Sequence, residues 1–214
     1  MTADRTPRGS QTRESILEAA EQLFAERGFA ATRLEDVAEQ VGIRRASIVY
    51  HFRDKRELYE AVLEELVHGL LRRLGPVLTE PGPLRQRLED TVSEFVDFVA
   101  ERPTIARILL REVADARPGE PMALVKHTLP FYDLARGLVQ EREPGPPRFP
   151  KAEPIQLASV IAGTTVFFVV AVPAIAPLLQ LDPLHPETLE SLKAELRAIT
   201  VRLLGEPSRE EDRP

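Results

Sequence analysis

At 214 residues, with 43% hydrophobic and 29% charged side chains, the chain can bury a full core as one domain or two unequal ones, and its composition is not that of a disordered segment. Cysteine is absent, which excludes a disulfide framework, a thiol nucleophile and a thiolate metal site. The net charge of −6 is unevenly spread: residues 1–56 carry ten basic and nine acidic side chains, net +1, and the remainder 18 basic and 25 acidic, net −7, so a polyanion would be met by the N-terminal part.

In chain order nearly everything reads as helix. Residues 1–9 are polar and lack the apolar core of a secretory signal, so they read as a flexible arm of a cytoplasmic protein. Residues 10–27 place Ile16, Leu17, Ala20, Leu23 and Phe24 on one stripe and stop at Gly28. Thr32 with Glu35 three residues on predicts a capping box, and the next helix buries Leu34, Val37, Ala38 and Val41. Gly42 suits a left-handed exit from that helix. From Ile43 a short helix keeps Ile43, Ile48 and Phe52 on a buried side and leaves Arg44, Arg45, Ser47, Tyr50 and His51 outside. Asp54 and Glu57 predict an acidic capping box opening a long helix from about Lys55 to Leu74. After the break at Glu80-Pro81-Gly82-Pro83 come a helix to Glu101, one from Pro103 closed by Pro118-Gly119, and one over 121–142 with a kink expected at Pro130. Residues 143–147 form a loop, followed by an apolar helix over Ile155–Val172, a final amphipathic helix Pro186–Leu204, and a charged tail, 205–214, expected to fray.

The fold class expected is therefore all-α with about nine helices. An N-terminal helix-turn-helix head (residues 10–54, motif 33–52) precedes a larger helical domain (residues 55–204). Over residues 44–56 five basic side chains stand against Asp54, a net of +4 within an acidic chain. A basic second helix of a helix-turn-helix points to duplex DNA.

Phe24, Gly28-Phe29, Thr32, Val37-Ala38, Gly42-Ile43, Ile48, His51-Phe52, Lys55 and Leu58 are spaced as in the tetracycline-repressor (TetR) family, which residues 10–60 resemble. The resemblance implies an all-α homodimer with DNA-binding heads and a variable C-terminal domain for a small molecule. It also implies phosphate contacts from Thr32, His51 and Lys55. The chain departs from the family at Arg44, where a hydroxyl residue is usual, at Val49, where a tyrosine is common, and at Arg33, which replaces a small hydroxyl residue. Base reading falls to Arg44, Arg45, Ala46, Ser47 and Tyr50, with Arg45 first, because an arginine forked onto guanine is the commonest specific contact. Arg33 adds a charge beside the DNA.

The body is less legible. Between Glu153 and Asp182 there is no charged residue, and Ile155–Val172 approaches the length of a membrane span. Pro173, Pro177, the absence of Trp or Tyr at either end and the lack of a basic flank after it until Lys193 favour a buried helix, so no membrane partner is expected. With Pro186–Leu204 it would form a four-helix homodimer seam. Candidate lining residues for an apolar or aromatic effector are Phe95, Phe98, Ile108, His127, Phe131, Tyr132, Thr164, Phe167 and Phe168. His51, His68, His127 and His185 are too dispersed for a zinc site, and no phosphate loop or nucleophile motif is present, so neither an enzyme nor a cofactor is expected. The expectation is a ligand-released repressor that binds a palindromic operator in double-stranded DNA. The alternative is a regulator without an effector, whose body is a protein-interaction or membrane-associated module.

Overall fold

The computed structural model describes residues 7–117, 119, 122–140, 154–175 and 182–204. Among them are nine α-helices and no strand: α1 (Pro7–Ala31), α2 (Leu34–Val41), α3 (Arg45–His51), α4 (Lys55–Thr79), α5 (Leu84–Glu101), α6 (Pro103–Asp115), α7 (Val125–Gln140), α8 (Pro154–Ile175) and α9 (Pro186–Leu204). The expected start of the N-terminal arm, the 143–147 loop and the C-terminal tail lie outside the described residues. So do the side chains of Pro130 and Phe131.

Two compact units divide the chain: Met1–His68 with Thr104–His127, and Gly69–Pro103 with Thr128–Pro214. The cut between the units falls within α4, and most of α6 lies in the first unit. In that unit Leu58, Tyr59, Val62, Leu63, Leu66 and Val67 of α4 and Ile105, Ala106 and Ile108 of α6 are all buried. Tyr59 sits edge-on to Phe24, with 4.9 Å between ring centroids, and 5.0 Å from Phe29. Its hydroxyl donates to Glu112 Oε1 over 2.6 Å, and burial, followed by that carboxylate, pushes the phenol far above its ordinary range. Arg111 donates to the carbonyls of Ala25 (3.2 Å) and Glu26 (2.6 Å), fastening α6 to α1.

The α1 stripe is buried as the periodicity requires. The helix breaks at Gly28 (φ 80°, ψ 169°), a backbone conformation essentially reserved for glycine, and one more turn follows before Thr32.

In the second unit, Leu78, Leu88 and Leu157 form one apolar cluster with Leu84, Ile161 and Leu203 against it. Val92, Val96 and Leu196 form another, joined by Ile161, Leu189 and Leu192. These clusters pack α5, α8 and α9 together. Lys193 is buried, but its ammonium lies 2.6 Å from Asp97 and 2.8 Å from Glu190, which meets the need of a sequestered charge for partners. Arg73 on α4 pairs with Glu94 and Glu101 of α5. Helix α4 runs past the expected Leu74 and through Pro76 to Thr79, whose hydroxyl donates to the Gly75 carbonyl over 2.9 Å. Helix α8 likewise continues through Pro173 to Ile175.

The apolar helix departs from expectation in its burial. Over Ile155–Ile175 the mean hydropathy is 2.2, so by length and composition it could cross a membrane, yet only 22% of the stretch is buried within the chain. Ile155, Phe167 and Ile175 are each more than half exposed. The sequence reading of a buried helix therefore needs a second surface to cover it.

Candidate nucleic-acid interface

The turn between α2 and α3 is built from backbone hydrogen bonds. Gly42 adopts a left-handed conformation (φ 74°, ψ 31°), its N–H donates to the Glu39 carbonyl over 3.1 Å, and the Ile43 N–H reaches Ala38 over 2.9 Å. This pair of bonds caps the end of α2 and turns the chain into α3.

Helix α2 starts at Leu34, within the range the capping box predicts, but its cap is Arg33 rather than Thr32. Arg33, in extended conformation (φ −116°, ψ 152°), is the N-cap, and its N–H donates to Asp36 Oδ2 over 3.0 Å. Thr32 turns inward instead: it is fully buried, and its hydroxyl donates to the Gly28 carbonyl over 2.8 Å, closing the turn after the glycine break. Because Asp36 takes the capping role, Glu35 points elsewhere. Its carboxylate lies 2.9 Å from Arg45 Nε and 3.7 Å from Arg33 Nε.

Helix α3 has one buried and one exposed side. Ile48 and Phe52 are buried to 0% and 2% exposure, whereas Tyr50 is 85% exposed and Val49 40%. Arg44, Arg45 and Ala46 are exposed, and Ser47 and His51 are half-buried. Arg44 is the N-cap of α3 and makes no side-chain capping bond there. His51, the last residue of the helix, has its ring edge-on to Tyr50 at 5.1 Å.

The entry to α4 follows the acidic capping pattern with one change. Asp54 Oδ1 accepts the Glu57 N–H over 2.9 Å, while the Glu57 carboxylate accepts from the Arg53 N–H over 2.9 Å. The Glu57 amide bond is the largest influence on the Asp54 carboxyl and holds it below its ordinary value. Lys55 faces the protein: its ammonium donates to the carbonyls of Phe29 (2.8 Å), Thr32 (3.0 Å) and Ala30 (3.2 Å) and lies over the Phe29 ring. Thr32 and Lys55, for which the resemblance implied phosphate contacts, are thus both occupied inside the head. Their directions depend on the fold of the Gly28 turn, which spacing alone does not reveal.

The basic side chains of the head are held by loose surface pairs. Arg53 lies 3.6 Å from Asp54 and 3.8 Å from Glu57, and Arg56 lies 3.6 Å from Glu60. Exposed pairs of this kind contribute at most about 1 kcal/mol each, so a phosphate can replace them. Segment charge alone does not single out Arg53 or Arg56, and spacing marks Glu35 only as a cap, because its reach to Arg45 crosses the turn.

The candidate effector residues divide between the units. Ile108 and His127 belong to the first; Phe95, Phe98, Tyr132, Thr164, Phe167 and Phe168 belong to the second. Ile108 and Phe98 are buried, Phe95, Tyr132 and Phe168 are half-buried, and Thr164 and Phe167 are exposed. His127 Nε2 lies 3.7 Å from Glu60 Oε2, and Lys126 pairs with the same carboxylate. Burial pushes the Glu60 carboxyl up, but Lys126, Arg56 and His127 together outweigh it and hold the group below its ordinary value. The cleft of about 820 Å³ between α5 and α9, lined by Arg85, Arg197 and Arg202 among others, includes none of the candidate effector residues.

Among the described residues, three helices joined by this turn form a helix-turn-helix unit. Residues 16–62 match the family described as bacterial regulatory proteins, tetR family. The transcriptional regulator FadR of Bacillus subtilis, solved with stearoyl-CoA, is 16% identical, with 89% of this chain and 98% of that one covered and a TM-score of 0.68. A tetR-family regulatory protein from Rhodococcus RHA1 is 17% identical over 92% and 98% of the two chains, with a TM-score of 0.69. KstR2 of Mycobacterium tuberculosis, a ketosteroid transcriptional regulator, is 19% identical over 94% and 95%, with a TM-score of 0.64. At these identities the likeness is one of fold. Residues 16–62 thus carry the match to the tetR family, and over the rest of the chain the likeness to these regulators is one of fold.

Proposed function

We propose that the protein is a cytoplasmic, homodimeric repressor that binds a palindromic operator through α3 and is released by a small apolar or aromatic effector. The observation that carries the DNA reading is the outer side of α3: Arg44, Arg45, Ala46 and Tyr50 stand exposed on a helix anchored by fully buried Ile48 and Phe52. In this reading Arg45 reads a base first, and Arg44, Ala46, Ser47 and Tyr50 line the major groove beside it. Arg33, Arg53 and His51 meet phosphates, which set register without reading sequence. Thr32 and Lys55 act through the Gly28 turn they stabilise. Duplexes enriched by the purified protein from a randomised library test the assignment. Arg45→Ala should weaken binding to the enriched site by about tenfold or more and relax selectivity at one base pair; an unchanged affinity at fixed salt would contradict it.

The homodimer reading is supported by α8, whose exposed apolar side needs a cover, and by α9 packed next to it. The effector reading is supported by the fold relative solved with stearoyl-CoA and by the aromatic residues Phe95, Phe98, Tyr132 and Phe168 in the second unit. A thermal-shift screen with apolar and aromatic compounds tests it, because a ligand that binds only the folded state raises the melting temperature.

A further inference from the structure

We infer that Glu35 is the positioning residue that sets the base selectivity of Arg45; the inference rests on the DNA-binding reading above. Glu35 stands in the first turn of α2 and Arg45 in the first turn of α3, so the 2.9 Å contact between Glu35 Oε1 and Arg45 Nε crosses the turn of the motif. The other carboxylate oxygen, Oε2, lies 3.7 Å from Arg33 Nε, so the carboxylate sits between two arginines from the starts of the two helices.

Two properties make this more than a surface pair. The Arg45 and Glu35 side chains are 58% and 50% exposed, so the contact adds little to folding and its consequence lies in orientation. The contact also uses Nε. An arginine reads guanine with two parallel N–H donors, and a guanidinium held at Nε still presents its two terminal nitrogens as such a fork. The ion pair thereby biases where the fork lies before DNA arrives, which a long, rotamer-rich side chain does poorly alone.

The carboxylate also acts on wrong sequences. Beside a duplex it repels phosphates, and only a base that engages the Arg45 fork offsets that repulsion. Selectivity thus comes from an attractive contact at the right base and a repulsive charge everywhere else.

The test measures binding of the full chain to the duplex enriched by wild type, to single-base variants of it and to a random duplex, at several salt concentrations. Wild type, Glu35→Gln, Glu35→Ala, Arg45→Ala and the Glu35→Ala/Arg45→Ala double variant are compared, with circular dichroism melts to confirm folding. Glu35→Ala should bind random duplex more tightly and lose about tenfold of the preference at the base pair read by Arg45. Glu35→Gln, which keeps the size of the side chain but removes its charge, should also bind random duplex more tightly and lose most of the preference, because the pair is ionic. In the Arg45→Ala background, Glu35→Ala should change no base preference. Unchanged selectivity in Glu35→Ala, or an equal loss with and without Arg45, would overturn the inference while leaving the DNA reading intact. Failure of wild type to enrich any sequence would overturn the DNA reading and this inference with it.

Discussion

Lys55 brings a charged donor within 2.8–3.2 Å of the Phe29, Ala30 and Thr32 carbonyls at the end of α1. Hydrogen bonds to a charged group contribute about 1.5–3 kcal/mol. Lys55→Met, which keeps the aliphatic stem, should therefore lower stability by about 2 kcal/mol in urea unfolding while leaving the salt dependence of DNA binding unchanged. A salt slope reduced by about one, with stability intact, would instead assign the ammonium to a phosphate. Asp54 carries a pH signature. Its native carboxyl ionises below the ordinary 3.8, so its charge stabilises the fold fully above that value, and the contribution is lost as pH falls through the lower native value. Thermal melts should show Asp54→Asn less stable than wild type at pH 7, with the gap closing as the pH is taken below 3.8. At this scale the sequence showed which residues carry charge, but not where they point. Thr32, Lys55 and Glu35 all lie where spacing places them, and all three turn to partners that appear only when the Gly28 turn and the α2–α3 turn are folded.

The helices themselves were more legible. The stripe of Ile16, Ala20, Leu23 and Phe24, the buried pair Ile48 and Phe52, and the start of α9 at Pro186 follow from periodicity and proline placement. Helix ends were less so: α4 passes Pro76 and α8 passes Pro173, because a proline removes one donor without ending a helix whose neighbouring bonds persist. The two glycines that shape the head differ in kind. A methyl group at Gly42 meets nothing within 4 Å, so Gly42→Ala costs only its left-handed backbone, about 1 kcal/mol. At Gly28 the backbone lies in a glycine-only region and the new carbon would stand 3.2 Å from Arg111 Nη1, so Gly28→Ala should cost about 3 kcal/mol. Chemical denaturation of the two variants checks the order, and equal losses would count against the strained turn.

The whole molecule is an acidic body with a basic reading segment, and its least settled surface in a single chain is α8. Phe167, 53% exposed, lies on the uncovered side of that helix. If a second copy covers it, Phe167→Asp should convert a dimer into a monomer in light scattering while circular dichroism stays unchanged, and operator binding should fall because two half-sites are no longer read together. A wild-type protein soluble only in detergent would favour membrane contact instead. This was the hardest scale to read from the sequence, because a helix apolar on all sides fits a core, a seam or a membrane alike. The most direct test of the account is selection of duplexes from a randomised library by the wild-type protein, followed by the mass of the complex on the enriched sequence. The account expects a two-fold symmetric sequence bound by a dimer, with half-site centres one helical turn, about 34–36 Å, or a multiple of it apart. No enrichment, or an asymmetric site bound by a single chain, would contradict it.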